Sequence, residues 1–388
     1  MKINIFNRTV DENIRDLATL CLIGILAGHM LPIPIVVYRV IFVLLCVFVS
    51  YKERAHLLPI EKIIIIFVSI WFLYYLFDLL IKSPSISRIG AILATMPACI
   101  LFRYLGRKGV ITEKWINVSL ILFLIAGMFF YRYSYIREIE RMMLNADDQY
   151  GITNNASSVF LGLVAFLLLS KNRVVQWVSL FVCWFFLLTA AKRSNILGAS
   201  LPTLLFIWQY FKGIRTSWWN MIFLIVGFGF AVKYGFAWYD YNSHLAYKME
   251  MTLSGDSNGR DGIYSYFLDL WLNSPFHRLF FGYGFDGTVE AGTIKMHAHS
   301  DFVETLVDLG IVGITLFVSF FILLLKYAIK KTEYHYVFIS VFFMALVKSF
   351  FSMGFLDPQN MFLYGTLGIL LSRIKYKSVR GNQYTING

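Results

Sequence analysis

Two short stretches concentrate the chemistry-bearing side chains of this 388-residue chain. In "MHAHSDFVETLVDLG", His297 and His299 precede Asp301, Glu304 and Asp308. Spacings of three and four put these carboxylates on one helical face. A neutral imidazole at His299 can take a proton from a hydroxyl near neutral pH, while Asp301 and Glu304 can orient it or receive sugar hydroxyls. The same residues also have plain structural uses. His299 can start a helix bonded to backbone, and Asp301 can stabilise that helix's N-terminus. His297-x-His299 has the form of a metal-ligand pair, but no further His, Cys or carboxylate cluster stands at ligand spacing, so no metal is expected.

The second group is cationic. Lys192 and Arg193 lie in "TAAKRSNILG", Arg260 in "NGRDG", and Arg278 in "SPFHRLF". Converging guanidinium groups suit a phosphate, because the planar fork donates two parallel hydrogen bonds to its oxygens. At a membrane surface the natural diphosphate is a lipid headgroup. The alternative for each arginine is a snorkelling anchor. Tyr264, Tyr266, Trp271 and Tyr283 can stack on sugar rings.

These residues need a bilayer-spanning scaffold. The composition is 58% hydrophobic and 15% charged, and the mean hydropathy is +0.64. A soluble protein of this size does not average so high. Apolar runs long enough to cross about 30 Å of hydrocarbon recur throughout. We read twelve transmembrane helices, near 16–31, 34–51, 62–81, 89–105, 115–132, 155–170, 174–190, 194–211, 218–237, 301–325, 334–352 and 359–373. The fold class is therefore all-α polytopic membrane protein. No cleavable signal is expected, because the polar N-terminal arm leads into an apolar run that continues as a span. Cys21, Cys46, Cys99 and Cys183 all lie in apolar runs and read as buried, unpaired residues.

With both termini in the cytoplasm, the cytoplasmic segments hold most of the 35 Lys and Arg and a minority of the 23 Asp and Glu, as the positive-inside rule requires. The formal charge of +12 is spread over these loops, so no nucleic-acid partner is expected. Lys192, Arg193, Arg260 and Arg278 are outer-face cations that this rule does not account for. Arg39, Asp78, Lys233 and Lys348 fall within or near spans, and each is expected to pair with an opposite charge.

Two long loops fall on the outer face, at 133–154 and 238–300. In the second, Ile263, Phe267, Leu270 and Trp271 share one face of a helix, with Asp256 or Ser257 as its cap and "NSP" as its end. The expectation is an amphipathic helix lying at the membrane–water boundary. The glycines of "FFGYGF" then suggest a tight turn beside a site. No repeat or soluble domain appears, so residues 1–388 read as one membrane domain.

At this point "HSDFVETLVDLGIVG" resembles a motif of the O-antigen polymerase and ligase superfamily: His, then Asn, Ser or Gln, nine residues, Gly, two residues, Gly. Here those positions are His299, Ser300, Gly310 and Gly313. Ligases usually place Thr next, where this chain has Ile314 and then Thr315. "TAAKRSNILG" is similar to the family's outer-face basic turn, with Arg193 at the basic position. "GRDGIYSYFLDLWLNSPFHRLFFGYGF" is similar to its "GR…W…SP…GYG" run, with Arg260 as the arginine.

The resemblance implies a GT-C-like glycosyltransferase in the bacterial inner membrane, with its active site facing the periplasm. The donor would be an oligosaccharide on undecaprenyl diphosphate, with no cofactor or metal. Arg193 and Arg260 would hold the diphosphate, and His299 would act near the acceptor hydroxyl. Lys192, Arg278, His297, Asp301, Glu304 and Tyr283 are the candidate substrate-binding residues around them. The acceptor is a lipid-linked repeat unit in a polymerase and the lipid A-core in a ligase. "NSPFHRLFFGYGF" looks more like polymerases, and "HAHSD" is similar to a form found in some ligases. Membrane lipids and a chain-length regulator are further partners this implies. A lipid-linked oligosaccharide transporter is the rival from another class, although such proteins usually show repeated halves and midplane sites.

Overall fold

The computed structural model describes residues 9–28, 34–82, 84–144, 154–190, 192–213, 259–330 and 332–374. All regular elements among them are helices. They are α1 (Val10–Ala27), α2 (Ile35–Lys52), α3 (Pro59–Leu79), α4 (Ile86–Thr95), α5 (Ala98–Arg107), α6 (Glu113–Leu144), α7 (Ser157–Leu167), α8 (Arg173–Thr189) and α9 (Arg193–Gly213). After the 259 boundary come α10 (Arg260–Leu272), α11 (Phe276–Phe281), α12 (Gly287–Ala291), α13 (Asp301–Ala328), α14 (His335–Phe351) and α15 (Met361–Arg373).

Local sequence sets many of these boundaries. Thr9 and Glu12 form a capping box at the start of α1. Pro59 opens α3, where a missing N–H costs nothing. Ser85 and Asn172 cap α4 and α8 with their side chains. The apolar run 89–105 divides at Met96–Pro97 into α4 and α5, which together still make one crossing, Ile86–Arg107. Proline lacks the donor an unbroken helix needs there.

Among the described residues, five helical stretches are long and apolar enough to cross a membrane: Ile35–Lys52, Pro59–Leu79, Ile86–Arg107, Glu113–Glu140 and Asp301–Ala328. Shorter apolar helices include α7, α8 and α14. Every residue of α7 is buried, as expected for a helix apolar on all sides. It sits at the centre of the bundle against α8, α9, α6 and α15. The expected span 218–237 and Lys233 lie outside the described residues.

Three expectations are corrected. The stretch 133–154 does not begin as a loop, because α6 continues to Leu144. The cap of α10 is neither Asp256 nor Ser257 but Gly259, in the left-handed conformation with φ 76°. The apolar face of α10 is packed on protein: Phe267 is fully buried with Ala298 and Val307, and Ile263, Leu270 and Trp271 pack around them.

The two ends of the bundle differ in charge chemistry. At one end Arg103 pairs with Glu61 at 2.7 Å and Arg107 with Glu53 at 2.5 Å. At the other end, α10 to α12 form a cap over the start of α13, and the candidate site lies there.

Candidate active site

Lys192 and Arg193 are placed by the short turn from α8 into α9, and Arg260 by the first turn of α10. The three are close enough to sense one another: Arg260 feels Arg193, and Lys192 feels Arg260. Lys192 Nζ donates to Asn155 Oδ1 at 2.9 Å. Burial, and then Arg260, lower its pKa, while Asp357 pulls the other way. Arg260 donates through Nη1 to the Phe351 carbonyl at 2.6 Å. Next to it, the Tyr264 hydroxyl donates to the Phe350 carbonyl at 3.1 Å. Those oxygens belong to the last turn of α14, where carbonyls lack intrahelical donors. One guanidinium edge is thus tied down, which orients the rest of the fork.

His299 lies just before α13 with a left-handed backbone, φ 56°. Non-glycine residues rarely adopt this region, and strain of this kind gathers at functional sites. Its side chain is exposed, with no hydrogen bond among the described residues. It is therefore not the backbone-bonded histidine of the structural alternative. Desolvation, followed by the Arg260 guanidinium, lowers its pKa from the ordinary 6.5. Lys192 also acts on the ring. A neutral base thus stands beside a group of cations.

Lys348 lies beneath this group and is completely buried. Contrary to expectation it pairs with no carboxylate among the described residues. Its Nζ donates to Ser158 Oγ at 2.8 Å and Asn195 Oδ1 at 3.1 Å. Asn195 is itself held by Ser157 at 2.7 Å. The polar serines of α7 and the first turn of α9 thus hold the buried Lys348 amine near Lys192.

A second network, which the sequence did not reveal, frames the site. Arg88 of α4 is buried and binds Asp286, Glu304 at 3.0 Å and Asp308 at 2.8 Å. Its guanidinium also stands over the Trp71 ring, 5.4 Å from the centroid. Thr288 completes the arrangement, donating Oγ1 to Glu304 at 2.6 Å and N–H to Asp308 at 2.8 Å. The signal was present: Arg88 is another cation at the edge of a span that the expected topology puts on the outer face, outside the reach of the positive-inside rule.

Two motif glycines let backbones meet. Helix α13 breaks at Gly310, with φ 64° and ψ −157°. The carbonyls of Val307 and Asp308 are then bonded by Tyr283 N–H at 2.9 Å and Gly284 N–H at 3.0 Å. A Cβ on Gly310 would lie 2.4 Å from the Phe280 carbonyl, and one on Gly282 only 2.3 Å from that of Asp308. Both positions combine positive φ with backbone contact, which only glycine accommodates. The tight turn expected from "FFGYGF" is this splice of the cap onto α13.

The remaining candidates take supporting positions. Asp301 and Glu304 are fully buried and bonded to the protein's own groups. Asp301 Oδ2 accepts from Ser349 at 2.8 Å, Gly354 N–H at 2.7 Å and Phe355 N–H at 3.1 Å. It holds the turn after α14 and caps no helix. His297 Nδ1 lies 3.2 Å from Glu304 Oε1, turned toward the Arg88 network. Arg278 stands over the Tyr283 ring at 4.6 Å, and the Tyr283 hydroxyl meets Ser274. That pair braces the cap and is not within the cation group. Asp78 pairs with Lys82 at 3.0 Å, and Arg39 lies near Asp357. Among the described residues, no group of three or more His, Cys, Asp or Glu is placed to hold a metal ion.

Comparison with known proteins bears on these same residues. No protein with a curated description matches the chain. Residues 178–318 match the family described as O-antigen ligase. The matched segment runs from α8 to the middle of α13 and includes Lys192, Arg193, Arg260 and His299, but neither Arg88 nor Lys348. Over this segment the chain is similar to the O-antigen ligase family, in keeping with the resemblance of its motifs.

Proposed function

We propose that the protein is a surface-polysaccharide polymerase of the bacterial inner membrane. It transfers a growing glycan from undecaprenyl diphosphate to a sugar hydroxyl of another lipid-linked repeat unit, on the periplasmic face. One observation carries this reading: His299, unbonded among the described residues, lies within electrostatic reach of Arg260 and Lys192.

In the reaction, the bond from sugar C1 to the diphosphate oxygen breaks while C1 gains a bond to the acceptor oxygen. Negative charge grows on the departing diphosphate. Arg193, Arg260 and Lys192 stabilise that charge with little reorganisation, because their positions are fixed beforehand. His299 takes the acceptor proton and releases it to water, and the lipid diphosphate leaves along the bilayer. Attack opposite the leaving group inverts C1. Lys348 braces the group by donating to Ser158 and Asn195.

A ligase reading, with lipid A-core as acceptor, is favoured by the description of the matched family. Deleting the gene and separating lipopolysaccharide by gel tests both. Core bearing a single repeat, restored to a ladder by wild type but not by His299→Ala, supports the polymerase. Bare core with polymer retained on its lipid carrier supports the ligase. An unchanged ladder rejects both for O-antigen.

A further inference from the structure

A second cavity opens at the same end of the bundle, apart from the His299 group. It has a volume of about 610 Å³ and is bounded by the C-terminal parts of α1 and α6, the start of α2, and Pro358 and Gln359. This is an ordinary size for a small-molecule site. Leu26, Ile35 and Phe130 give it an apolar side, and Arg39 and Arg137 a cationic one. Arg39 Nε is buried without a hydrogen-bond partner among the described residues. Arg137 is exposed and stands over the Tyr133 ring at 5.8 Å. Glu138 and Glu140 also line the cavity, acceptors of the kind that sugar hydroxyls require.

Its position relative to the first site is informative. Asp357 is within electrostatic reach of Arg39 on one side and of Lys192 and Lys348 on the other. Pro358 and Gln359 line the cavity, so the turn from Asp357 to Gln359 links it to the surroundings of Lys192 and Lys348. That turn is well anchored: Asp301 holds Gly354 and Phe355, and Asn360 Nδ2 donates to the Gly354 carbonyl at 2.8 Å. An apolar side, two guanidinium groups and carboxylate acceptors match an isoprenoid tail, a diphosphate and a sugar in that order.

We propose that this cavity binds a second lipid-linked glycan, the acceptor, with Arg39 and Arg137 on its diphosphate and its sugar directed past the Asp357 turn toward His299. The inference rests on the polymerase reading, since only a polymerase handles two polyprenyl diphosphates at once.

Native mass spectrometry of the full chain in nanodiscs, titrated with undecaprenyl diphosphate, tests it. Wild type is expected to bind two molecules. The double variant Arg39→Gln/Arg137→Gln retains one, as does Arg193→Gln/Arg260→Gln, and combining all four changes leaves none. Ser134→Phe, which fills the cavity without removing a charge, should also retain one. Two molecules bound by both Arg39→Gln/Arg137→Gln and Ser134→Phe would overturn the cavity assignment. A single molecule on wild type, lost only with Arg193 and Arg260, would overturn the second site and leave the diphosphate reading intact. No binding to wild type would overturn both.

Discussion

In the proposed reaction His299 acts on the incoming hydroxyl and Arg260 on the departing diphosphate, and each answers to its neighbours. Because desolvation and then Arg260 lower the His299 pKa from 6.5, the neutral form dominates at and above that pH. Transfer in proteoliposomes should therefore be level above pH 6.5 and fall only on further acidification. Arg260→Gln removes one cause of the lowering and should move the acidic limb to higher pH; a limb that stays in place would detach the two residues. Arg260→Ala should reduce kcat by about 100-fold or more, the usual effect of losing a charge-stabilising donor. Arg260→Lys should not restore it, because an ammonium cannot bond the Phe351 carbonyl and a phosphate with the same fork. His299, Arg193 and Arg260 were legible in the sequence because polar groups at the border of an apolar run stand out. Arg88 stands at such a border too, but its role was not legible, because its partners Asp286, Glu304 and Asp308 lie about 200 residues away and only the fold brings them together.

Hydropathy gives the helices at the element scale, yet what positions the site is where they break. The break in α13 at Gly310 exposes two carbonyls that hold the Tyr283–Gly284 segment. Gly310→Ala must adopt positive φ and displace the Phe280 carbonyl, at a cost of roughly 1–3 kcal/mol. A lower Tm in detergent, with loss of product, is the expected result. Arg88→Met should be harsher. It leaves Glu304 and Asp308 buried without their cation, which typically costs about 3–5 kcal/mol. Adding Glu304→Gln and Asp308→Asn should recover part of that loss in thermal unfolding, which a purely steric role for Arg88 would not allow. The glycines could be read as a turn, but its partner strand of backbone could not, since no spacing in "FFGYGF" points to Val307. Likewise, the face of α10 has the period of an interfacial helix, and only packing shows that Phe267 is buried against Val307.

Across the whole molecule, the bundle sorts its charges by end. Both ends carry ion pairs, Arg103–Glu61 at one and the Arg88 network at the other, but the cation group of the candidate site lies only at the second. All four cysteines are buried, so a single introduced thiol should report its side of the membrane cleanly. Ile294→Cys is expected to react with an impermeant maleimide on intact spheroplasts, and Lys108→Cys only after lysis. The reverse pattern would invert the topology. Finally, Arg260 and Tyr264 bond the end of α14, a helix beyond the matched segment 178–318. That segment is therefore no transplantable cassette. A chimaera exchanging it alone between two relatives sets a foreign arginine against a foreign helix end, whereas a crossover placed after residue 360 carries the latch, Lys348 and the Asp357 turn along together.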